Sequence, residues 1–378
     1  MPLNAGSGSS RMPVLVVTGF LGSGKTTLLR KALRDKRFAR SLVLVNEAAP
    51  TGIDDRVIGA SPARAVRLLG NGCLCCAIQE DLRQSLLDVV DDPSLTSRIE
   101  RIVIETSGLA DPVSAIATLA AHPRLARALQ LQAVVTVIDA QQALEQADEF
   151  VEFGAQAEAA DLFVLAKSRL ASGERIGRTR ELLACLNPLA EACDADAPSV
   201  VRKLASVDTR QPATGPAPAP IRGWLPRPGI AAGTGGRLIR ISSRSPEPAR
   251  HTANVTAFTI HLDDPVDWIR FSTWFSAMLH AHGRRMLRVK GVLALRETPE
   301  PVLLNAVRHV VHFPEHLASR PDDARGSSLV FIVRDLAPDE VLLSLRAFVT
   351  GETDRHEPMA RSEKPPGDSG HAASSRIG

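Results

Sequence analysis

Several features common in proteins are scarce in this sequence, and each absence argues against a class of function. The 378 residues include no tyrosine, and aromatic residues make up only 4%, which leaves little material for the aromatic platforms that bind single-stranded nucleic acids. The net charge of +3 is too small to indicate nucleic acid binding. No apolar run approaches the roughly 18 residues of a membrane span. We therefore expect no nucleic acid and no membrane among the partners.

The N-terminal segment lacks the apolar stretch of a secretory signal. Residues 1–12 are mostly small or polar, which predicts a flexible leader and a cytoplasmic protein. Only five cysteines are present, and three of them are Cys73, Cys75 and Cys76. Such crowding in a chain with no export signal favours metal or redox chemistry over a disulfide framework.

Short, nearly uninterrupted apolar runs alternate with longer amphipathic stretches through the first half of the chain. Each run is typical of a strand that is buried on both faces of a parallel sheet. The runs lie at 14–17, 42–45, 102–104, 134–138 and 162–165, and helical patterns lie between them, for example at 26–39 and 81–90. This alternation predicts an α/β fold with a mostly parallel, doubly wound sheet.

Composition divides the chain into segments. After the leader, 13–206 carries the α/β pattern. Proline, glycine and alanine dominate 207–252, which predicts a linker. Strand and helix patterns return in 253–350 and predict a smaller α+β C-terminal domain, whereas the polar composition of 351–378 predicts a disordered tail.

One segment fits the phosphate-binding pattern G-x-x-x-x-G-K-[ST] in full. GFLGSGKT occupies 19–26, between a predicted strand and a predicted helix. The glycines let backbone N–H groups close around the phosphates, the Lys25 ammonium reaches the β and γ oxygens, and the Thr26 hydroxyl binds Mg²⁺. The predicted nucleoside-triphosphate site consists of Gly19, Gly22, Ser23, Gly24, Lys25, Thr26 and Thr27.

An acidic residue follows the predicted strand 102–104. Glu105 stands at the Walker B position, where a carboxylate holds Mg²⁺ through water or orients the attacking water. We therefore predict catalytic roles for Lys25 and Glu105. The N–H of Gly108 is expected to approach the γ-phosphate and to sense hydrolysis.

The cysteine cluster predicts a site for a thiophilic metal, because thiolates favour zinc, Cu(I) and similar ions. A structural zinc site normally has four ligands in paired spacing. Cys73, Cys75 and Cys76 therefore predict an open or transferable site that a fourth ligand completes, with Glu47 and the C-terminal histidines as candidates. Buried inert thiols and a strained redox pair are the two alternatives.

These motifs together resemble the CobW-type GTPases. GFLGSGKTT, NGCLCC, IETSGLADP and VVTVIDA occur here in the family's order. The family consists of SIMIBI-class P-loop proteins related to the nickel-insertion GTPases of urease and hydrogenase. Gln156 and Asp161 stand at its Q…AD element, and 288–291 resembles the R-x-K-G strand of its C-terminal domain. The resemblance covers 14–170 and 253–350.

The resemblance implies a metallochaperone function. It implies binding of GTP, or another nucleoside triphosphate, with Mg²⁺, and binding of zinc or cobalt through the cysteine motif. Hydrolysis would be coupled to metal delivery into a client metalloprotein or a partner of the cobalamin pathway. A homodimer is compatible with this class of fold. The resemblance also implies that Lys167 packs on the nucleotide base.

Two segments depart from the family pattern. The guanine-reading [NST]-K-x-D is A-K-S-R here, so Arg169 stands where a carboxylate accepts the guanine hydrogens, and we expect weaker base discrimination. In the switch segment 46–54, Pro50 replaces a glutamate, which removes an oxygen ligand and stiffens the loop. These departures favour an alternative, a weakly hydrolysing nucleotide- and metal-binding scaffold or metal buffer. A small-molecule kinase is a third hypothesis, against which the cysteine motif argues.

Overall fold

The structure is a computed structural model, and it describes residues 11–45, 65–68, 75–208, 241–244, 254–317 and 326–350. Several predicted features lie outside these residues: most of the leader and of the linker, the tail 351–378, the switch segment 46–54 with Glu47 and Pro50, and Cys73. Cys75 and Cys76 are described as the first residues of a helix. Within the described part, no helix is long and apolar enough to cross a membrane.

The first domain is built on a sheet of seven strands in the order β3-β2-β4-β1-β5-β6-β7, and every pairing is parallel. The strands are β1 (Met12–Thr18), β2 (Ser41–Val45), β3 (Ala65–Leu68), β4 (Arg101–Glu105), β5 (Leu129–Asp139), β6 (Leu162–Ala166) and β7 (Glu191–Asp194). Strands β2 and β6 are buried at every position. The parallel sheet predicted from the apolar runs is therefore confirmed.

Helices cover both faces of this sheet. They are α1 (Lys25–Leu33), α2 (Cys75–Asp91), α3 (Pro93–Thr96), α4 (Pro112–Ala121), α5 (Pro123–Ala128), α6 (Ala143–Glu149), α7 (Val151–Glu158), α8 (Gly173–Leu186) and α9 (Val200–Ser206). Alternate residues of β1 enter opposite cores: Val14 packs with α2 and α4, whereas Leu15 packs with α1 and α9. The doubly wound α/β fold is thereby confirmed.

The helix expected over 26–39 is shorter than predicted. Helix α1 ends at Leu33, and a 3₁₀ turn at Lys36–Phe38 follows. Asp35 separates the two because its side chain accepts a hydrogen bond from the backbone N of Arg37 and caps the second turn. Phe38 is then buried against the α1 core, so the apolar pattern of the sequence continues across the break.

A second, antiparallel sheet forms the C-terminal domain, with the order β12-β11-β10-β14-β9-β8 and β13 paired to β11. Its elements are β8 (Ile241–Arg244), β9 (Val255–Leu262), α10 (Trp268–His282), β10 (Met286–Leu293), β11 (Val302–Val307), β12 (Val310–Val311), β13 (Glu315–His316), β14 (Ser327–Arg334), α11 (Pro338–Leu345) and a π-helical turn at Arg346–Thr350. Strand β8 falls inside the proline- and glycine-rich segment 207–252.

Helices α10 and α11 pack against the C-terminal sheet. The core that they form with it includes the buried residues Phe271, Trp274 and Leu345. Its outer hairpin reaches the other domain: Val307 and Val310 belong to the same apolar cluster as Leu119 of α4 and several β-strand residues of the first domain. This shared core joins the C-terminal sheet directly to the first domain.

Candidate functional site

The loop after β1 has the backbone conformation of a phosphate cradle. Gly19 has a φ of +139°, and a Cβ built on it would lie 2.3 Å from the Val137 carbonyl oxygen, so a larger residue would displace β5. Gly24 caps α1 with a φ of +99° and no side-chain hydrogen bond. The first N–H groups of α1 are therefore presented to a ligand, and the helix dipole favours an anion there.

Two polar side chains are held inside this cradle. The Lys25 ammonium donates to the carbonyl oxygens of Gly19 (2.8 Å) and Phe20 (3.1 Å), which keeps the cation over the loop. Ser23 is fully buried, and its hydroxyl has no hydrogen-bond partner among the described residues. A buried hydroxyl of this kind is costly to leave unpaired, and an incoming phosphate oxygen would satisfy it. Thr27 is exposed at the rim of the cradle.

The residues predicted to hold Mg²⁺ lie together. The Thr26 hydroxyl donates to Oε1 of Glu105 at 2.8 Å, which links the start of α1 to the end of β4. Glu105 is 4% exposed. A hydroxyl beside a carboxylate offers the hard oxygen ligands that Mg²⁺ requires, usually together with waters and phosphate oxygens. The donor set therefore fits the ion.

The loop that follows Glu105 packs directly on the phosphate cradle. Thr106 anchors its start, because its hydroxyl donates to the Thr18 hydroxyl at 2.8 Å. A Cβ on Gly108 would lie 2.7 Å from the backbone of Leu21, so only glycine permits this approach. The buried side-chain amide of Gln156 donates to the carbonyl oxygens of Gly108 (3.0 Å) and Ala110 (3.1 Å). Helix α7, which carries Gln156, thus holds the loop in place.

On the other side of the cradle, the loop after β6 carries the residues expected to meet the base. Lys167 has a φ of +57°, and its ammonium contacts Oδ2 of the buried Asp139 at 2.7 Å. Arg169 forms an exposed ion pair with Asp196 at 2.9 Å. The position that normally supplies a guanine-reading carboxylate is therefore cationic, and its charge is directed at the loop after β7.

A cleft of about 830 Å³ opens beside the cradle. Phe20 and Leu21 of the phosphate loop form one wall, and residues that follow β5 and β6, among them Gln141 and Arg175, form the others. The cleft has the size of a small-molecule site. Its position at the carboxyl ends of the strands is where α/β folds bind their ligands.

The topology brings the cysteine motif to the same edge of the sheet. Strand β3 ends at Leu68, and α2 begins at Cys75 before the chain enters β4, which is parallel to β3 through β2. In such a crossover the helix starts at the carboxyl edge of the strands. Cys75 and Cys76 therefore begin α2 on the edge that also carries Gly19 and Glu105. Cys73 and Glu47 lie outside the described residues.

Sequence reasoning missed a charged interface between the two domains. Asp161 and Arg288 were noted only as parts of separate motifs, yet the Arg288 guanidinium contacts the Asp161 carboxylate and donates to the Ala159 carbonyl oxygen at 2.8 Å. Lys290 lies 3.9 Å from the same carboxylate. Burial lowers the pKa of Lys290, and Asp161 opposes that shift. No short-range pattern in the sequence indicates these pairs, because their members lie more than a hundred residues apart.

Two family models match separate parts of the chain. Residues 13–194 match the CobW/HypB/UreG nucleotide-binding domain, and residues 255–349 match the cobalamin synthesis protein cobW C-terminal domain. The zinc chaperone CobW of Pseudomonas aeruginosa is 30% identical over 369 residues, which cover 89% of this chain and 91% of that protein. The zinc chaperone YjiA of Escherichia coli is 29% identical over 336 residues, or 87% and 96% of the two chains.

Among solved structures, the zinc-bound YjiA GTPase of Escherichia coli superposes with a TM-score of 0.59 over 90% of this chain and 99% of that chain, at 24% identity. This agreement concerns the fold. Fold, phosphate cradle and family match together define the class as a P-loop nucleotide-binding protein with an antiparallel C-terminal domain. The chain belongs to the CobW family, as its motifs predicted.

Proposed function

We propose that this chain is a cytoplasmic metallochaperone that binds GTP with Mg²⁺ and a zinc ion as cargo, and that couples hydrolysis to transfer of the ion into a client metalloprotein. The observation that carries the proposal is topological. The phosphate loop, Glu105 and the helix that begins at Cys75 all occupy the carboxyl edge of one sheet. A change at the γ-phosphate would therefore occur at the same edge of the sheet as the start of the cysteine-bearing helix α2.

The chain's own residues supply most of the chemistry. The N-terminus of α1 and the Lys25 ammonium would bind the phosphates and stabilise the charge that develops on them. Thr26 and Glu105 would hold Mg²⁺, which when bound supplies charge neutralisation at the β and γ oxygens. Glu105 would also orient the attacking water. Gly108, pressed against Leu21, would report the loss of the γ-phosphate by a movement of its loop.

The metal part of the proposal rests on donor chemistry and on the relatives, two of which are named zinc chaperones. Cys73, Cys75 and Cys76 would bind the cargo as thiolates, and Glu47 is a candidate fourth ligand. Soft ligands of this kind suit zinc, while cobalt is the second candidate. An incomplete protein ligand set would allow the ion to leave for a client. Exposed leucines beside the cradle, Leu21, Leu109 and Leu170, offer an apolar surface for that client.

A specific observation favours the alternative of a nucleotide-binding scaffold or metal buffer. Arg169 stands at the base-reading position and its charge is taken up by Asp196. A site without the guanine acceptor would discriminate GTP from ATP poorly. Under this alternative the metal would bind through the same thiols, but its affinity would not depend on the nucleotide.

The two functions are separated by a titration of metal-free protein with Co²⁺, in which the absorption of cobalt–thiolate bonds reports binding and released phosphate reports hydrolysis. The titration is run without nucleotide, with Mg²⁺ and GTP, and with Mg²⁺ and ATP. The triple variant Cys73→Ser, Cys75→Ser, Cys76→Ser removes the predicted ligands. Cys185→Ser is the matched control, because Cys185 is a half-buried cysteine of α8 that lies outside the cysteine motif.

The metallochaperone predicts three results: GTP changes the cobalt affinity, phosphate is released, and the triple variant alone loses the thiolate absorption. Cobalt binding that no nucleotide alters, without hydrolysis, would instead establish the buffer. Thiolate absorption that persists in the triple variant would refute the assignment of the metal site.

A further inference from the structure

One arginine of the C-terminal domain reaches two acidic side chains of the nucleotide-binding domain. Arg308 lies in the two-residue turn between β11 and β12, where Val307 pairs with Val310. One end of its guanidinium contacts Oδ2 of Asp111, and the other lies 3.3 Å from Oε2 of Glu158. The fork shape of the guanidinium allows both contacts at once.

The backbone of this arginine is in an uncommon conformation. Arg308 has a φ of +50°, in the left-handed region that a long side chain seldom adopts. Its N–H donates to the Leu287 carbonyl oxygen at 3.0 Å, which fixes the turn against β10. The favoured two-residue hairpin turns require a positive φ at their first residue, so the hairpin itself holds Arg308 in this conformation.

Glu158 receives its counter-charges from the other domain. The residue is 1% exposed, and its two carboxylate oxygens contact Arg308 and Arg334, which lie in β11–β12 and β14. A buried carboxylate is costly unless it is paired. Burial raises the pKa of Glu158, and Arg334 and Arg308 oppose that shift. The C-terminal domain is therefore required for the local charge balance at the end of α7.

Both acidic residues are connected to the loop that follows Glu105: Asp111 belongs to it, and Glu158 lies on α7, which contacts it. Asp111 ends that loop and caps α4, since its carboxylate accepts from the Val113 N–H at 3.0 Å. Glu158 lies two residues after Gln156, whose amide holds the carbonyl oxygens of Gly108 and Ala110. Arg308 therefore restrains the loop at its end and also the helix that supports its middle.

We propose that Arg308 is a positioning residue for GTP hydrolysis: through Asp111 and Glu158 it fixes the loop that holds Gly108 against the phosphate cradle. This inference rests on the proposed function, since it requires that Gly108 faces the γ-phosphate. The C-terminal domain is then part of the hydrolytic apparatus, and its orientation and the nucleotide state influence each other.

Arg11 provides a matched control. It also joins the domains through an ion pair, with 2.8 Å between its Nη2 and Oε1 of Glu315, and its side chain is 24% exposed against 22% for Arg308. However, Arg11 contacts neither the loop 106–111 nor α7 among the contacts described for it. Loss of an interdomain ion pair is common to Arg11→Ala and Arg308→Ala, whereas loss of the loop restraint is specific to Arg308→Ala.

The test measures kcat for GTP hydrolysis and the dissociation constants of GDP and of a non-hydrolysable GTP analogue, all on the full chain with Mg²⁺. Arg308→Ala is expected to lower kcat at least tenfold, because small misplacements at a reacting centre cost up to about a hundredfold. The GDP dissociation constant should stay within twofold. Arg11→Ala should leave both quantities within twofold of wild type.

Asp111→Asn keeps the helix cap, because asparagine is also a favoured cap, but removes the charge that Arg308 meets. It should lower kcat in the same direction, and the double variant with Arg308→Ala should lose no more than the stronger single variant. Asp111→Asn alone keeps the test decisive if Arg308→Ala fails to fold.

An unchanged kcat in the Arg308 and Asp111 variants would overturn the inference. A parallel loss of kcat and GDP affinity would overturn it as well, because that pattern indicates general damage to the domain. Wild-type protein that hydrolyses no GTP would refute the proposed function itself, an outcome distinct from normal hydrolysis that survives Arg308→Ala.

Discussion

The Thr26 hydroxyl donates a hydrogen bond to the Glu105 carboxylate, with 2.8 Å between the two oxygens. This contact joins the first turn of α1 to the end of β4, two elements that lie 79 residues apart in the chain. The contact thereby holds both side chains together at the start of α1, beside the phosphate cradle. Preorganised ligands of this kind need little rearrangement when Mg²⁺ and GTP arrive.

The variant Thr26→Ala tests this arrangement. We expect the rate of GTP hydrolysis to fall by about a hundredfold, the magnitude typical for loss of one group that stabilises a transition state, because the variant removes the proposed Mg²⁺ ligand and the hydrogen bond that orients Glu105. Thr118→Ala is the control, since the Thr118 hydroxyl only donates to the Ser114 carbonyl oxygen within α4. Equal rates for Thr26→Ala and the control, measured by phosphate release, would contradict the role of Thr26.

The first domain could be predicted well because its signals are local. Strands buried on both faces appear as unbroken apolar runs, and β1 at Met12–Thr18 contains the predicted run 14–17. By contrast, β7 carries Glu191 and Asp194 at its ends and only Cys193 is fully buried, so its four residues gave no strand signal. Strand β8 lies in a segment whose proline and glycine content predicted a linker, and its pairing with β9 decides its structure.

The domain interface could not be predicted, because its residues gain their roles from distant partners. His312 illustrates this. The spacing from His309 and His316 would fit one helix face, but Pro314 interrupts a helix there and so predicts a surface or loop location. His312 does lie in a loop, although its Nε2 is enclosed without a hydrogen-bond partner among the described residues. Its position between β11 and the first domain, near Asp161 and Arg288, follows from the packing of two domains. A short sequence window contains no trace of that packing.

The base-reading position provides a second prediction. Arg169→Asp would restore a carboxylate for the guanine hydrogens, and hydrogen bonds to a charged group contribute about 1.5–3 kcal/mol. The preference for GTP over ATP should therefore rise by roughly ten- to a hundredfold in competition binding with a fluorescent nucleotide. Arg169→Ala, which also breaks the contact with Asp196 but supplies no acceptor, should gain no preference. Equal preference in the two variants would show that the base lies elsewhere.

The third prediction concerns Glu158, the buried carboxylate at the domain interface. Glu158→Gln keeps the shape of the side chain but removes the charge that faces Arg308 and Arg334. We expect a loss of about 1–3 kcal/mol, the usual cost of a broken buried polar contact, measured as a lower midpoint of thermal unfolding. Glu181→Gln, at an exposed position of α8 beyond its first turn, should leave the midpoint unchanged. A stable Glu158→Gln protein would mean that the two arginines contribute little to docking.

The last prediction concerns pH. Burial lowers the pKa of His312 from 6.5 to about 4, and the charges of Arg288 and Lys290 add to the shift while Asp161 opposes it. Arg11 and Glu315 line the same small cavity. Between pH 4 and 6.5 the unfolded chain therefore binds more protons at this residue than the folded chain does. By linkage, this contribution to stability is complete above pH 6.5 and is lost as the pH falls towards 4.

The thermal midpoint should consequently fall between pH 7 and pH 4.5 more steeply in the wild type than in His312→Gln, which has no proton to bind. The pKa change corresponds to about 2.5 kcal/mol over this range, and because about 1 kcal/mol shifts the midpoint by roughly 2–4 °C in a domain of 150–250 residues, the difference should be roughly 5–10 °C. His309→Gln is the control, because His309 is exposed in the neighbouring turn. Parallel curves for the wild type and His312→Gln would contradict this role of His312.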